Sequence, residues 1–326
     1  MEKKDLKIVF FGTPEFAVES LDALITNDFN IVGVVTMPDK IAGRGHKLYQ
    51  SDVKRYAVEH DLYIMQPEKL KSDDFINSLR SLEADLFIVI AFRMLPREVW
   101  QMPRLGTFNL HASLLPKYRG AAPINRAVMN GDTETGVTTF FLKHEIDTGD
   151  MIMQRKIDIL PEDNVGDVHD KLMHLGAEMV VETVNAIVDG TINTTPQPDG
   201  EFTPAPKIFK DDCLIDWNRK SIDIHNHVRG LSPYPAAWTV IIEDSGRPLE
   251  CKIFETKLTD KEATGVQGGT LKTDGKRLLA ACSDLWLEIV SLQPAGKKRM
   301  AADAFLLGYH PSHIKIPFET QCPQSE

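Results

Sequence analysis

Cysteine is scarce: four in 326 residues, Cys213, Cys251, Cys282 and Cys322. They stand singly in the C-terminal part, which excludes a disulfide scaffold and the close pairs of a zinc site, and they read as packing residues. Long apolar runs are missing too. Nothing approaches the roughly 20 residues of a bilayer-spanning helix, and the charged start MEKKDLK leads into a strand-like IVFF rather than a signal-peptide core. A cytoplasmic protein with no membrane partner is expected. Positive charge is also in deficit, with a net charge of −10, and this argues against a DNA-binding or general nucleic-acid-binding protein, because phosphate contacts need a basic surface. The deficit is uneven. Residues 1–205 hold 21 basic and 31 acidic side chains, whereas residues 206–326 hold 16 of each, so a polyanion would prefer the second part or a local basic loop in the first.

What is present has ordinary globular composition, 42% hydrophobic and 26% charged, over a length that suits two domains. DLKIVFFGTPEFAVESLDALI reads as strand, Gly-Thr-Pro turn and helix. FNIVGVVT, SDVKRYAVEHD, LYIMQP, DDFINSLRSLE and ADLFIVIAF continue the alternation. Strands alternating with helices predict a Rossmann-like, mostly parallel sheet over residues 1–190. A proline-rich linker is expected over 191–210, because TINTTPQPDGEFTPAPKIFK has four prolines and no helical period. Beyond residue 211, one helix (SIDIHNHVRGL) and several short strands between Gly and polar turns predict a small OB-like β-barrel, or another sandwich, reaching residue 326. The fold class is α/β with this second, all-β-like domain.

No nicotinamide site is expected at FFGTPEFA, which has one glycine where the fingerprint needs three and a proline without the N–H a pyrophosphate wants. The stronger candidate is NLHASLLPKYRGAAPI with HEIDTGD. Asn109 and His111 stand two apart at a strand end and share a face. Asp147 lies in a polar loop between two later strands and could reach that face. Imidazole beside carboxylate moves protons near neutral pH, and an amide N–H can stabilise a developing oxyanion. With no Ser or Cys in a nucleophile-elbow context, the trio suits direct acyl transfer. A His and an Asn that merely cap backbone groups at a strand end fit the spacing equally well. His225 and His227, two apart on a helix, do not share a face, so no metal site is expected.

N-x-H-x-S-L-L-P-x-Y-R-G-x-x-P-I followed by D-T-G-D resembles the folate-dependent formyltransferases. FFGTPEFAV, TMPDKIAGRGHKL, MNGDTETGVT and LQPAGKKRM extend the likeness over the whole chain, toward family members that act on an aminoacyl-tRNA in translation initiation. The resemblance implies that the formyl group of 10-formyltetrahydrofolate passes to the α-amine of methionine on initiator tRNA, with no metal. It implies Asn109, His111 and Asp147 as catalytic residues. It also implies a folate pocket at Ile90, Phe92, Leu95, Ser113, Leu114, Leu115 and Pro116 and a tRNA contact at Arg44; the charge split adds expected tRNA contacts at Lys207, Lys210, Lys297 and Lys298, and a monomer is expected. Two alternatives remain beside it, a formyltransferase for an amino-sugar nucleotide and a non-catalytic RNA-binding protein on the same scaffold. Phe92 and Arg93 replace the family's usual Tyr-Gly pair.

Overall fold

The computed structural model describes residues 2–42, 47–198, 200 and 202–315. Two compact units divide the chain, and the division is not a single cut. The first comprises the residues up to 123, 134–158 and 169–206; the second comprises 124–133, 159–168 and 207 onward. Two short internal segments, 124–133 and 159–168, thus fold with the C-terminal part, an exchange that a sequence scan for linkers has no means to detect.

The first unit is built on a seven-stranded sheet. Lys7–Gly12 lies between Asn30–Val35 and Leu86–Ile90, all parallel, with Ile64–Met65 beyond one neighbour and Thr107–His111 beyond the other. Leu86–Ile90, LFIVI, is buried at every position, as a parallel strand covered on both faces must be. Glu134–Phe141 and Met151–Asp158 complete the edge antiparallel to their neighbours. The last two can pair with each other so because the loop between them is short, whereas parallel neighbours need crossovers. The chain leaves Lys7–Gly12 toward one side of the sheet and later fills the other, so a switch point lies where Gly12 pairs with Ile90. Crevices in such sheets open at the carboxyl ends of these strands, and His111 is the last residue of one.

The second unit is an antiparallel barrel. Ala237–Glu243, Pro248–Glu262, Leu271–Asp274, Arg277–Ala281, Leu285–Pro294 and Pro311–Ile314 form its wall. Alternation along Pro248–Glu262 turns Leu249, Cys251 and Ile253 inward. The ends of the sheet meet where the Ile314 N–H donates to the Gly269 carbonyl at 2.8 Å. Trp217 and Phe305 fill the centre, and the Trp217 indole donates to Thr239 Oγ1 at 3.1 Å. Cys213, Cys251 and Cys282 are buried free thiols. Burial pushes Cys251 and Cys282 up to about 12, so both stay protonated. Cys322 lies outside the described residues.

His227, on the Ser221–Leu231 helix, is 8% exposed, and its Nε2 has no hydrogen-bond partner among the described residues. Burial pulls its pKa down to about 4, with Arg219 and Arg126 acting in the same direction. The unfolded chain binds this proton at the ordinary value of about 6.5, so the stabilisation is complete above that pH and is lost as pH falls toward 4. The unfolding free energy should therefore drop by roughly 3 kcal/mol over this window through His227. Denaturant titrations between pH 7 and 4 should show a flatter acid limb in His227→Gln than in the wild-type protein, and equal slopes would refute the assignment.

Candidate active site

Thr107–His111 is held on both edges. Val89 stands opposite Asn109 across the parallel pairing, and Thr138 stands opposite His111 across the antiparallel one. A strand so fixed cannot slip, and its two-residue period puts Asn109 and His111 on one face. His111 is buried, 7% exposed. Its Nε2 lies 2.9 Å from the Tyr118 carbonyl oxygen. A carbonyl can only accept, so Nε2 carries the hydrogen and donates. The other nitrogen, Nδ1, faces Asp147 Oδ2 at 3.9 Å. That is an ion-pair distance for a charged ring but too long for a direct hydrogen bond.

Asp147 sits in the loop between Glu134–Phe141 and Met151–Asp158, at a left-handed φ of 55°. The Gly120 N–H donates to its Oδ2 at 2.9 Å. A Cβ on Gly149 would lie 1.6 Å from the Phe141 carbonyl oxygen, so the glycine of D-T-G-D is the residue that lets this loop close. Asn109 is half-buried, and among the described residues no hydrogen-bond partner engages its amide. The site therefore holds an imidazole with one committed nitrogen, a carboxylate directed at the other, and a free amide on the same face.

The SLLPKYRG turn is framed from the antiparallel edge. Thr138, fully buried, donates through Oγ1 to the Ser113 carbonyl at 2.7 Å and accepts from the Leu115 N–H at 3.3 Å. Gln154 Nε2 donates to Thr138 Oγ1 and to the Leu115 carbonyl, both at 3.0 Å. Ser113 Oγ donates to the Lys117 carbonyl at 2.6 Å. This network sets the turn that places Tyr118, at φ 60°, over His111.

Of the seven residues expected around a folate, Ile90, Leu95, Ser113 and Leu115 have buried side chains. Phe92, Leu114 and Pro116 are partly exposed. Phe92 packs edge-on against Phe11, with centroids 5.8 Å apart. Arg93 donates to the carbonyls of Pro67 and Glu68, the latter at 2.9 Å, and so ties the end of one strand to the chain following another. Arg44 lies outside the described residues. Lys207, Lys210, Lys297 and Lys298 belong to the second unit and are exposed. Lys207 Nζ is 5.6 Å from the Phe209 ring centre, and Lys210 Nζ is 5.0 Å from that of Trp238.

Sequence reasoning missed Tyr118, Gly120, Thr138 and Gln154. Two of these act through backbone atoms, which leave no residue-type signal. Replacing Thr138 with Val keeps the volume and strands the Ser113 and Leu115 backbone groups. The expected cost is about 1–3 kcal/mol, read by urea titration, with a fall in turnover because the Tyr118 turn loses its frame. Unchanged stability and rate would refute the framing role of the network.

The family model described as "Formyl transferase" matches residues 6–184, and "Formyl transferase, C-terminal domain" matches residues 207–310. Methionyl-tRNA formyltransferase of Bacteroides fragilis is 57% identical over 315 residues, covering 95% of this chain and 97% of that one. The protein of the same name from Flavobacterium johnsoniae is 50% identical over 309 residues, covering 94% and 97%. Among solved structures, the sugar 3N-formyl transferase WlaRD superposes with a TM-score of 0.63 at 20% identity, over 90% of this chain and 99% of that one. An N-formyltransferase from Helicobacter canadensis gives 0.62 at 19%, over 90% and 100%. At such identities the structural likeness speaks for the fold, and the sequence matches over both units speak for descent: the chain belongs to the formyl transferase family.

Proposed function

We propose that this chain transfers the formyl group of 10-formyltetrahydrofolate to the α-amine of methionine on initiator tRNA. The observation that carries this reading is the site itself: His111 Nδ1 set against Asp147, with the free Asn109 amide on the same face. Two further facts support it. Relatives named methionyl-tRNA formyltransferase align over about the whole chain. The likeness extends to proteins crystallised with 5-N-formyl-THF or folinic acid.

In this reading the amine nitrogen attacks the formyl carbon, a C–N bond forms, and the carbonyl pair moves onto oxygen. Asn109 donates an N–H to that oxygen, a contact that strengthens as charge develops. One proton must leave the amine. His111 takes it at Nδ1, the nitrogen not committed to Tyr118, and Asp147 offsets the charge the ring acquires. Collapse of the tetrahedral centre breaks the bond to the folate nitrogen, which leaves with the electron pair and is protonated from His111. Partly exposed Phe92, Leu114 and Pro116, with backbone groups around Ile90, Leu95, Ser113 and Leu115, supply a wall for the folate ring. Arg44, Lys207, Lys210, Lys297 and Lys298 contact tRNA phosphates.

Purified protein given the formyl donor and Met-tRNA should yield formyl-methionine detectable by mass spectrometry, and an amino-sugar nucleotide should remain unmodified. Reversal of that preference would move the chain to sugar chemistry. His111→Ala and Asn109→Ala should lower kcat by roughly two to four orders of magnitude, the scale of a lost general base or oxyanion donor, with folate affinity retained. Near-normal turnover in His111→Ala would sink the mechanism.

A further inference from the structure

The chain between the long helix Val165–Asp189 and residue 206 does more in the first unit than connect. Thr195 exchanges backbone hydrogen bonds with Met151, at 2.8 and 2.9 Å, where the strand after the Asp147 loop begins. Two residues on, Gln197 Nε2 donates to the carbonyls of Asp147 at 2.7 Å and Gly149 at 2.9 Å. Its Oε1 accepts from Arg119 Nε at 3.1 Å and from the Arg119 terminal nitrogen at 2.6 Å. All the hydrogen-bonding capacity of the amide is used, two donors and two acceptor positions, so its orientation is determined. Further on, Pro204–Ala205 pairs in parallel with Arg119–Gly120.

Three consecutive residues converge on the site from this turn. The Tyr118 carbonyl holds His111, the Arg119 side chain holds Gln197, and the Gly120 N–H holds Asp147. Gln197 thus joins the two arms of the site, the 118–120 turn and the 147–149 loop. It is also neutral. Arg119 directs its guanidinium at the Gln197 oxygen, and a guanidinium freed from it would be a stronger partner for Asp147 than an imidazole is.

We propose that Gln197 is a positioning residue for formyl transfer, which fixes the Asp147 loop relative to His111 and holds the Arg119 cation on an amide instead of on the carboxylate. The inference rests on the function proposed above and deepens it. A simple tether would need only the pairing with Arg119. A positioning role needs the donation to the loop carbonyls as well, and a glutamate cannot supply that.

Gln197→Met and Gln197→Glu in the full chain separate the two. Met removes every bond at similar length. Glu keeps the partner for Arg119 but sets a carboxylate against two carbonyl oxygens. We expect both to lower kcat about 10- to 100-fold, the scale of a small misplacement of a catalytic group. KM for folate and tRNA should stay within about threefold, because uniform binding is untouched. Melting temperatures should remain close to wild type. Wild-type kcat in Gln197→Glu, a loss confined to KM, or a loss of rate that follows a collapse in melting temperature would overturn the proposal. A wild-type protein that formylates no Met-tRNA would remove the function itself, which is distinguishable from an active wild type with an equally active Gln197→Met.

Discussion

The carbonyl of Tyr118 decides what His111 can do. By accepting from Nε2 at 2.9 Å, it fixes the tautomer and leaves Nδ1 as the nitrogen able to gain and lose a proton. A ring free to turn would present either nitrogen to Asp147 and neither reliably to a substrate. The Tyr118 carbonyl points where it does because the residue adopts a left-handed backbone, φ 60°, which a bulky side chain takes only when its surroundings demand it. Thr138, Gln154 and Ser113 make that demand through the turn before it.

The same logic holds on the carboxylate side. Asp147 also has a left-handed φ, 55°, in a loop that closes only over Gly149. Two non-glycine residues with strained backbone face each other across the His111 ring, each held by hydrogen bonds from a different segment. Local sequence preference would relax both. What prevents relaxation is the sheet, whose Thr107–His111 and Glu134–Phe141 strands are paired in a register that puts Thr138 directly opposite His111. Stability of the sheet is thus converted into precision at the site, as preorganised catalysis requires.

Much of this was legible beforehand. The alternation of strands and helices, the shared face of Asn109 and His111, and the loop position of Asp147 follow from residue periodicity, which local backbone geometry enforces. The barrel was visible in the spacing of its short strands. The antiparallel pairs at the sheet edge, the transfer of 124–133 and 159–168 to the second unit, and the role of Gln197 were not. Each depends on which distant segment lies alongside, and a single sequence carries no direct record of that. The Tyr118 carbonyl and the Gly120 N–H are invisible for a different reason, since every residue has such groups. Arg93 had a signal, a charge where a glycine was expected, but its use as a tie to Pro67 and Glu68 needed the fold.

Charge links the site to its substrate. The part of the chain that holds the carboxylate carries the whole net charge, 21 basic against 31 acidic residues up to residue 205. Such a surface disfavours phosphate and favours the protonated form of any amine brought to it. A nucleophilic amine must be neutral, so an acidic environment works against the reaction unless the carboxylate of Asp147 acts on something other than the amine. Its side chain is only 15% exposed, lies 3.9 Å from an imidazole nitrogen and is bound by a backbone N–H. The field of Asp147 thereby falls on His111 instead of on the amine, where it would hold the proton in place.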